Sequence, residues 1–580
     1  MRVFVRVNKV RRGTRSYQYL QILESVREDG KNKHRLIANL GRLDQLGDRV
    51  DALAQALSRF GSQRMVAPSH IQLEDALVWG PVLLARHLYE RLGLPAIIQQ
   101  ACTGNRREFD VAETALVLLA HRLDDPGSEH GLARWLEHTY VCDDDGRRWE
   151  PQWNEAEAIT SKQRVRVQAK QLNVWYRTLD ALLTGQKEIE QALFQKVRDL
   201  FHLQVDLVLY DVTRVHFARR APKEELRRHG YTRSGDPRQV RVVLGVVMAN
   251  GFPLAHHVFS GNTMDHKTVQ DVIGDVEERF GLKRVLVVGD RGMLSEENRQ
   301  WLTADGREVR YLMGIAGRQN DEGLQVLQRI DPQHWQAVDE RNQVQEVRLP
   351  DEEARFFVVH SAQREAYEQQ LRQKSMERVL AELQRLQRRV QAGQLKDRDT
   401  MVAQATRILS RNHGHRYYRF AIQDDGAFHF EEDVSKEKWH EGRYLLKSND
   451  ETLTPTQAVH IYKQLSDLES GFRDLKDVIE LRPIYHKTDD RVRAHIFVAT
   501  LALFIKRTLE QLLRAQNLYF TPTEAFAAMK SVGVSVLNLE ADSHRPDRRL
   551  LVSSGGRDAR RIMQALGITH PAPPSAPLAP

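Results

Sequence analysis

The chain has 580 residues, enough for several hydrophobic cores, and three or four domains are expected. With 41% hydrophobic and 28% charged residues and no run near 18 apolar residues, the composition is that of a soluble protein and excludes a membrane-spanning helix. A net charge of +8 and a pI near 9.3 permit a nucleic-acid partner without requiring one. The two cysteines, Cys102 and Cys142, form no C-x-x-C or Cys/His cluster, which argues against structural zinc and suits a reducing cytosol. The N-terminal MRVFVRVNKVRRGTR lacks the apolar core of a signal peptide.

Residues 1–45 read as a small β region. Val3, Val5 and Val7 alternate, Arg12-Gly13 and Asp29-Gly30 mark turns, and Tyr17 to Val26 is the return strand. Basic residues crowd these turns (Lys9, Arg11, Arg12, Arg15, Lys31, Lys33, Arg35), which fits a DNA-contacting sheet and equally a charged, solvated edge. From 46 to 200 the period is helical, giving a helical domain that could bind DNA ends. Val50, Leu53, Leu57 and Phe60 share a face, and further helices are expected at 74–100, 110–123, 128–139 and 162–200.

The period changes at Val205. Strands are expected at 205–217, 238–250, 252–262, 283–292 and 309–315, with a hairpin turn at Asn250-Gly251, a helix over 265–280 and an N-cap at Ser295. These elements make 201–315 the first part of an α/β core. Segment 316–452 reads as an insertion, with strands at 343–348, 354–361 and around 416–430. Its charged helical stretch, 365–411, is best read as a two-helix hairpin. Helices resume after Thr454-Pro455, making 453–535 the second part of the core. The C-terminal region, 536–580, ends in the Pro-rich PAPPSAPLAP, expected to be disordered.

Three carboxylates stand out. Asp211 and Asp290 each end an apolar strand, where reactive groups gather in open α/β sheets. Neighbouring strands lie about 5 Å apart, so two such carboxylates could share divalent cations. In YKQLSDLESGFRDLK (462–476), helical spacing puts Tyr462, Leu465, Glu469, Arg473 and Lys476 on one stripe. A carboxylate flanked by a phenol and two cations suits a metal beside a phosphate, although i,i+4 ion pairs on a solvated face give the same pattern. Taken together, the oxygen ligands suit Mg²⁺ or Mn²⁺.

The order Asp211 in LYDVTRVHF, Asp290 in VVGDRGMLS and Glu469 in YKQLSDLESGFRDLK resembles the DDE transposases of bacterial insertion sequences, in the group with a Y-R-E-K signature. Tyr462, Glu469 and Lys476 fit that signature; Leu465 stands where it has Arg, and Arg473 is the cation nearest in the stripe. HRLDDPGSEHGLARWLE (121–137), GYTRSG (230–235), GFPLAHHVFSGNTMDHKT (251–268) and LRPIYHKTDDRVRAHIFVATLAL (481–503) extend the likeness.

The resemblance implies a ribonuclease H-like mixed sheet with flanking helices, interrupted by a partly β-stranded insertion domain between Asp290 and Glu469. It implies that Asp211, Asp290 and Glu469 are catalytic and hold two Mg²⁺ (or Mn²⁺) ions, and that Tyr462, Arg473 and Lys476 contact DNA phosphates. The implied activity is cleavage of phosphodiesters at the ends of the element and joining of the 3′-hydroxyl ends to target DNA. The partners would be double-stranded DNA and further copies of the chain, as a homodimer or higher oligomer, in a bacterial cytoplasm at the nucleoid. Two alternatives stay open: a nuclease of the same fold without strand transfer, and an inactive transposase-derived DNA-binding protein.

Overall fold

The computed structural model describes residues 2–28, 31–58, 71–103, 109–150, 161–201, 207–217, 225–230, 239–281, 286–289, 293, 295–304, 309–315, 317, 321–350, 352–411, 413–479, 481–482, 484–539 and 548–574. Asp290, the Asp29-Gly30 turn, Phe60, most of GYTRSG and residues 575–580 lie outside the described residues. The chain divides into two compact units: Met1–Leu77 with Gly533–Ser553 and Ser575–Pro580, and Val78–Val532 with Ser554–Pro574.

In the first unit, β1 (Arg2–Arg12), β2 (Arg15–Glu28) and β3 (Lys31–Arg42) form an antiparallel sheet, as the valine alternation and turn residues dictate. Gly13 takes φ +62°, the left-handed backbone its turn requires. Helices α1 (Leu43–Leu46) and α2 (Arg49–Ser58) follow. Then comes β4 (Gln72–Val78), where a helix was expected from 74. Its partner lies at the far end of the chain: β4 pairs with β17 (Gly533–Asn538), which pairs with β18 (Arg548–Val552). Asn538 and Arg548 both donate to Glu74, at 3.0 and 2.8 Å.

The second unit begins with helices α3 (Gly80–Arg91), α4 (Leu94–Ala101), α5 (Val111–Asp124), α6 (Leu132–His138), α7 (Ser161–Thr184) and α8 (Gln186–Phe201). Asp110 caps α5 through Ala112 and Glu113, and Pro81 sits in the first turn of α3. The expected helix over 162–200 is two helices broken at Gly185, where a Cβ would lie 2.9 Å from the Ala101 carbonyl.

The strands that follow build one ten-stranded sheet. They begin with β5 (Leu207–His216), β6 (Arg228–His229), β7 (Val240–Ala249) and β8 (Phe252–Ser260). A 3₁₀ turn at Asp265–Thr268 leads into α9 (Val269–Phe280), then β9 (Leu286–Gly289), α10 (Glu296–Leu302) and β10 (Arg310–Ile315). β5 pairs antiparallel with β7 and β7 with β8, while β9 runs parallel to both β5 and β10. In space the five main strands run third, second, first, fourth, fifth. β5 runs unbroken to His216, so β9, after which Asp290 follows in sequence, is the fourth of the five.

The segment expected as an insertion domain contributes strands to this sheet. It contributes α11 (Asp321–Gln328), β11 (Gln336–Asp339), β12 (Asn342–Arg348), β13 (Arg355–Ser361), α12 (Ala362–Gln391), α13 (Arg398–Arg411), β14 (Tyr418–Ile422), β15 (Phe428–Glu432), α14 (Ser435–His440) and β16 (Arg443–Ser448). β16 pairs with β10 on one side and β13 on the other, and β12 and β11 continue outward. The α12/α13 hairpin has its own core: Val379, Leu383 and Leu386 pack with Ala405, Leu409 and Tyr418.

Helices α15 (Pro455–Lys463), α16 (Leu465–Arg473) and α17 (Asp489–Ala515) return to the core. The apolar α17 is buried along most of its length and packs against α3, α5, α7 and β8. Then α18 (Pro522–Met529) and, after β17 and β18, α19 (Arg557–Leu566) complete the chain. The start of the Pro-rich tail is held in place: the Pro571 carbonyl accepts from the buried Trp79 indole at 2.7 Å.

Gly261 sits where backbones meet, since a Cβ there would lie 2.1 Å from the Arg241 carbonyl and 2.6 Å from that of Arg228. Gly261→Ala should therefore lower the thermal unfolding midpoint, at a cost of about 2 kcal/mol or more. Gly274, inside α9 with nothing near its Cβ position, should instead tolerate Ala with an unchanged or raised midpoint, since Ala favours a helix by up to about 1 kcal/mol. Calorimetry on both variants checks the pair.

Candidate active site

The two faces of β5 do different work. Val208, Tyr210 and Val212 join the core beneath α9, where the Tyr210 hydroxyl donates to Thr268 Oγ1 at 2.6 Å. Alternation puts Asp211 on the other face, with Leu209, Thr213 and Val215. Asp211 is half-buried, and its Oδ1 accepts from the Val212 N–H at 2.7 Å. On the parallel neighbour β9, Val288 lies opposite Leu209; Gly289 ends that strand, and Asp290 lies outside the described residues.

Helix α16 packs against β5, and its Leu468 and Phe472 are buried. Gly471 permits the approach: a Cβ there would come 3.3 Å from Met248 Sδ. Met248 is the cross-strand partner of Leu209, so α16 lies over the face of the sheet that carries Asp211. Glu469, two residues before that glycine, is exposed. The sequence pattern does not single out Gly471; its only signal is a glycine inside a helical stretch.

The expected stripe is not one continuous helix. α15 ends at Lys463, Gln464 breaks the path, and after Arg473 the backbone widens into a π-turn over Asp474–Val478. The Ile479 N–H reaches back to the Asp474 carbonyl at 2.8 Å, the i to i+5 bond of such a turn. The parts of the stripe separate accordingly. Tyr462 stacks on Tyr444 of β16, ring centroids 6.0 Å apart. Arg473 is exposed at the end of α16. Lys476 lies half-buried in the π-turn with its ammonium 5.9 Å from the Phe472 ring. Burial pushes Lys476 below its ordinary range and Arg482 adds to this, while Asp477 and Asp211 oppose it. Lys476 thus sits within the field of Asp211, whereas Tyr462 is engaged elsewhere. Asp265, at the start of the 3₁₀ turn, pairs with Arg214 of β5 at 2.7 Å.

A buried polar cluster joins two of the sequence motifs. The ligand atoms of Glu129, His486 and His495 lie within 4.8 Å of one another. Arg122 Nη2 approaches His495 Nδ1 at 3.4 Å and Glu129 at 3.7 Å, and His495 Nε2 faces the Leu481 carbonyl at 3.3 Å. His495 is then the neutral tautomer that donates to Leu481 and accepts from Arg122. The guanidinium already supplies the positive charge that balances Glu129, so the cluster reads as an ion-paired network rather than a metal centre. Nothing in the spacing of these residues announces it, because they meet only through packing of α17 on α5.

The family described as "Transposase DDE domain" matches residues 206–505, just over half of the chain, and "IS1634 family transposase, N-terminal domain" matches residues 5–69. The chain belongs to the DDE transposases of insertion sequences. No curated protein matches it. Among solved structures, it is similar to a cryo-EM structure of a piggyBac transposase synaptic complex with hairpin DNA, at 9% identity and a TM-score of 0.33, over 81% of this chain and 82% of that one. No helix among the described residues is long and apolar enough to cross a membrane.

Burial pushes His495 down to about 4 and His121 to about 3, with Arg122 adding to both. In the unfolded chain each titrates near 6.5. Below that pH the unfolded chain takes up protons that the native one refuses, so the stability these groups contribute is full above 6.5 and declines as pH falls toward 4. The thermal midpoint should fall over that window, and His121→Gln should make the fall shallower. Scanning calorimetry across pH measures both slopes.

Proposed function

We propose that this transposase cleaves phosphodiesters at the ends of its element and joins the freed 3′-hydroxyls to target DNA, with Asp211, Asp290 and Glu469 as its catalytic carboxylates. What supports the reading is the stacking of the Glu469 helix on the Asp211 face of β5, together with the parallel strand β9 that runs directly into Asp290. The five strands β5, β7, β8, β9 and β10 are taken as a ribonuclease H-like core. The first aspartate lies on the first strand and the second follows the fourth, in keeping with the family resemblance.

DDE domains use divalent metal ions. The described donors fit such an ion: Asp211 and Glu469 offer hard carboxylate oxygens, one half-buried and one exposed, on elements that pack together. With Asp290 they would hold two Mg²⁺ ions, which when bound activate the attacking oxygen and stabilise the leaving oxygen of an in-line displacement. Asp211, fixed by its strand and by the Val212 N–H, would be the rigid ligand. Glu469, exposed on its helix, would meet the ion from the DNA side. Lys476, close enough for Asp211 to bear on its charge, would bind a phosphate beside the cleaved bond. The acting species is taken to be a homodimer or higher oligomer on double-stranded DNA.

Asp211→Asn and Glu469→Gln should each lower Mg²⁺-dependent cleavage of end DNA by at least about a hundredfold while leaving DNA binding in place. Unchanged cleavage in either would remove that residue from the site. A strand-transfer assay on the wild type separates the two catalytic readings: joined products support transposition, and cleaved ends that never join support the nuclease. Lys476→Ala should reduce the salt dependence of DNA binding by about one phosphate contact.

A further inference from the structure

Beyond the π-turn, Ile479, Leu481 and Ile484 are pinned on several sides. Leu481 N–H donates to the Leu475 carbonyl at 2.9 Å, and His495 Nε2 holds the Leu481 carbonyl at 3.3 Å. Arg122 reaches the Ile479 carbonyl at 3.5 Å. Ile484 N–H donates to the His216 carbonyl at 3.2 Å, and Ile484 bridges Phe217 in parallel. The buried Arg122–Glu129–His495 network thus anchors one side of this segment, and the end of β5 anchors the other.

Three basic side chains gather on this anchored ledge. Arg482 lies within it, Lys476 just before it, and His216 on the strand end it bridges. Arg482, half-buried, pairs with the exposed Asp477 at 2.8 Å. Lys476 and His216, both half-buried, make no side-chain hydrogen bond or ion pair among the described residues. Their charges bear on one another: Lys476 is disfavoured as a cation by burial and then Arg482, and His216 by burial and then Arg482, Arg241 and Lys476. Basic groups held close on a rigid support, two of them lacking a partner, are matched by an anion that meets all three.

Building on the transposase reading above, we infer that Lys476, Arg482 and His216 form a preformed phosphate-binding ledge at the end of β5, which holds the DNA backbone next to the strand that carries Asp211. Arg482 and His216 are the new members. Arg482 offers a planar fork to a phosphodiester and exchanges Asp477 for it; His216 adds a ring N–H from the strand side. The contact is with the backbone, so it adds affinity and register rather than base choice.

The test is titration of plain duplex DNA, without divalent metal, into full-length variants at several salt concentrations. Arg482→Ala should weaken binding several-fold and lower the slope of log affinity against log salt by about 1. His216→Gln should weaken binding without altering the thermal midpoint. Arg482→Lys, which keeps the charge, should retain the slope. Asp477→Asn decides between a ledge and a mere structural tether. Released from its partner, Arg482 should bind phosphate as well as or better than before; if Asp477→Asn instead reproduces the loss seen in Arg482→Ala, the ledge is overturned. It is equally overturned if Arg482→Ala and His216→Gln bind with wild-type affinity and slope. Cleavage by the wild type keeps the two levels apart: a chain that cleaves ends while these variants bind normally loses only the ledge, and a chain that neither binds nor cleaves DNA loses the transposase chemistry with it.

Discussion

β5 has a parallel neighbour on one side and an antiparallel neighbour on the other, and the site depends on that arrangement. The antiparallel partner β7 is the next main strand in the chain, while the parallel partner β9 requires a crossover, which α9 supplies over one face. That face is thereby filled with Val269, Val272, Ile273 and Val276 against Val208, Tyr210 and Val212. The opposite face, with Asp211, is left for α16. A carboxylate on the α9 side would be buried among aliphatic side chains; on the α16 side it stays half-open.

Two sets of buried charge are balanced by partners on neighbouring elements. Glu190 accepts from His256 and Arg279, which also pairs with Asp275, tying α8, β8 and α9 together. Arg355 is locked between Glu346 and two backbone carbonyls at the outer strands. Breaking one partner of such a set leaves an uncompensated charge, so these groups hold specific geometries more than they add net stability. The Arg122–Glu129–His495 set differs in what it supports, because it anchors the chain between Glu469 and α17.

Much of the fold was legible locally. Asn250 and Gly251 adopt φ +50° and +83°, the paired left-handed turn their dipeptide favours. Ser295 caps α10 and Thr454 forms a capping box with Gln457, both through side-chain acceptors near the start of a helix. The aliphatic runs became strands within a few residues of their expected ends. β4 misled because its pairing partner lies more than 450 positions away. The strands of the insertion were legible as alternating runs, but such runs do not reveal which sheet a strand joins. The stripe from Tyr462 to Lys476 misled because a fixed helical period cannot register a break at Gln464 or a π-turn at Asp474.

The sequence by itself determined the transposase family, the identities of the candidate carboxylates and the alternation that turns Asp211 away from the α9 core. These are properties of residue order and of a strand's two-residue period. Only the tertiary structure decided that Gly471 lets the Glu469 helix approach that sheet face, that Tyr462 stacks on Tyr444 while Lys476 sits in the field of Asp211, and that Ile484 bridges Phe217 at the end of β5. Each of those depends on separate elements being brought into contact, and the free energy of such contacts resides in packing that no local window contains.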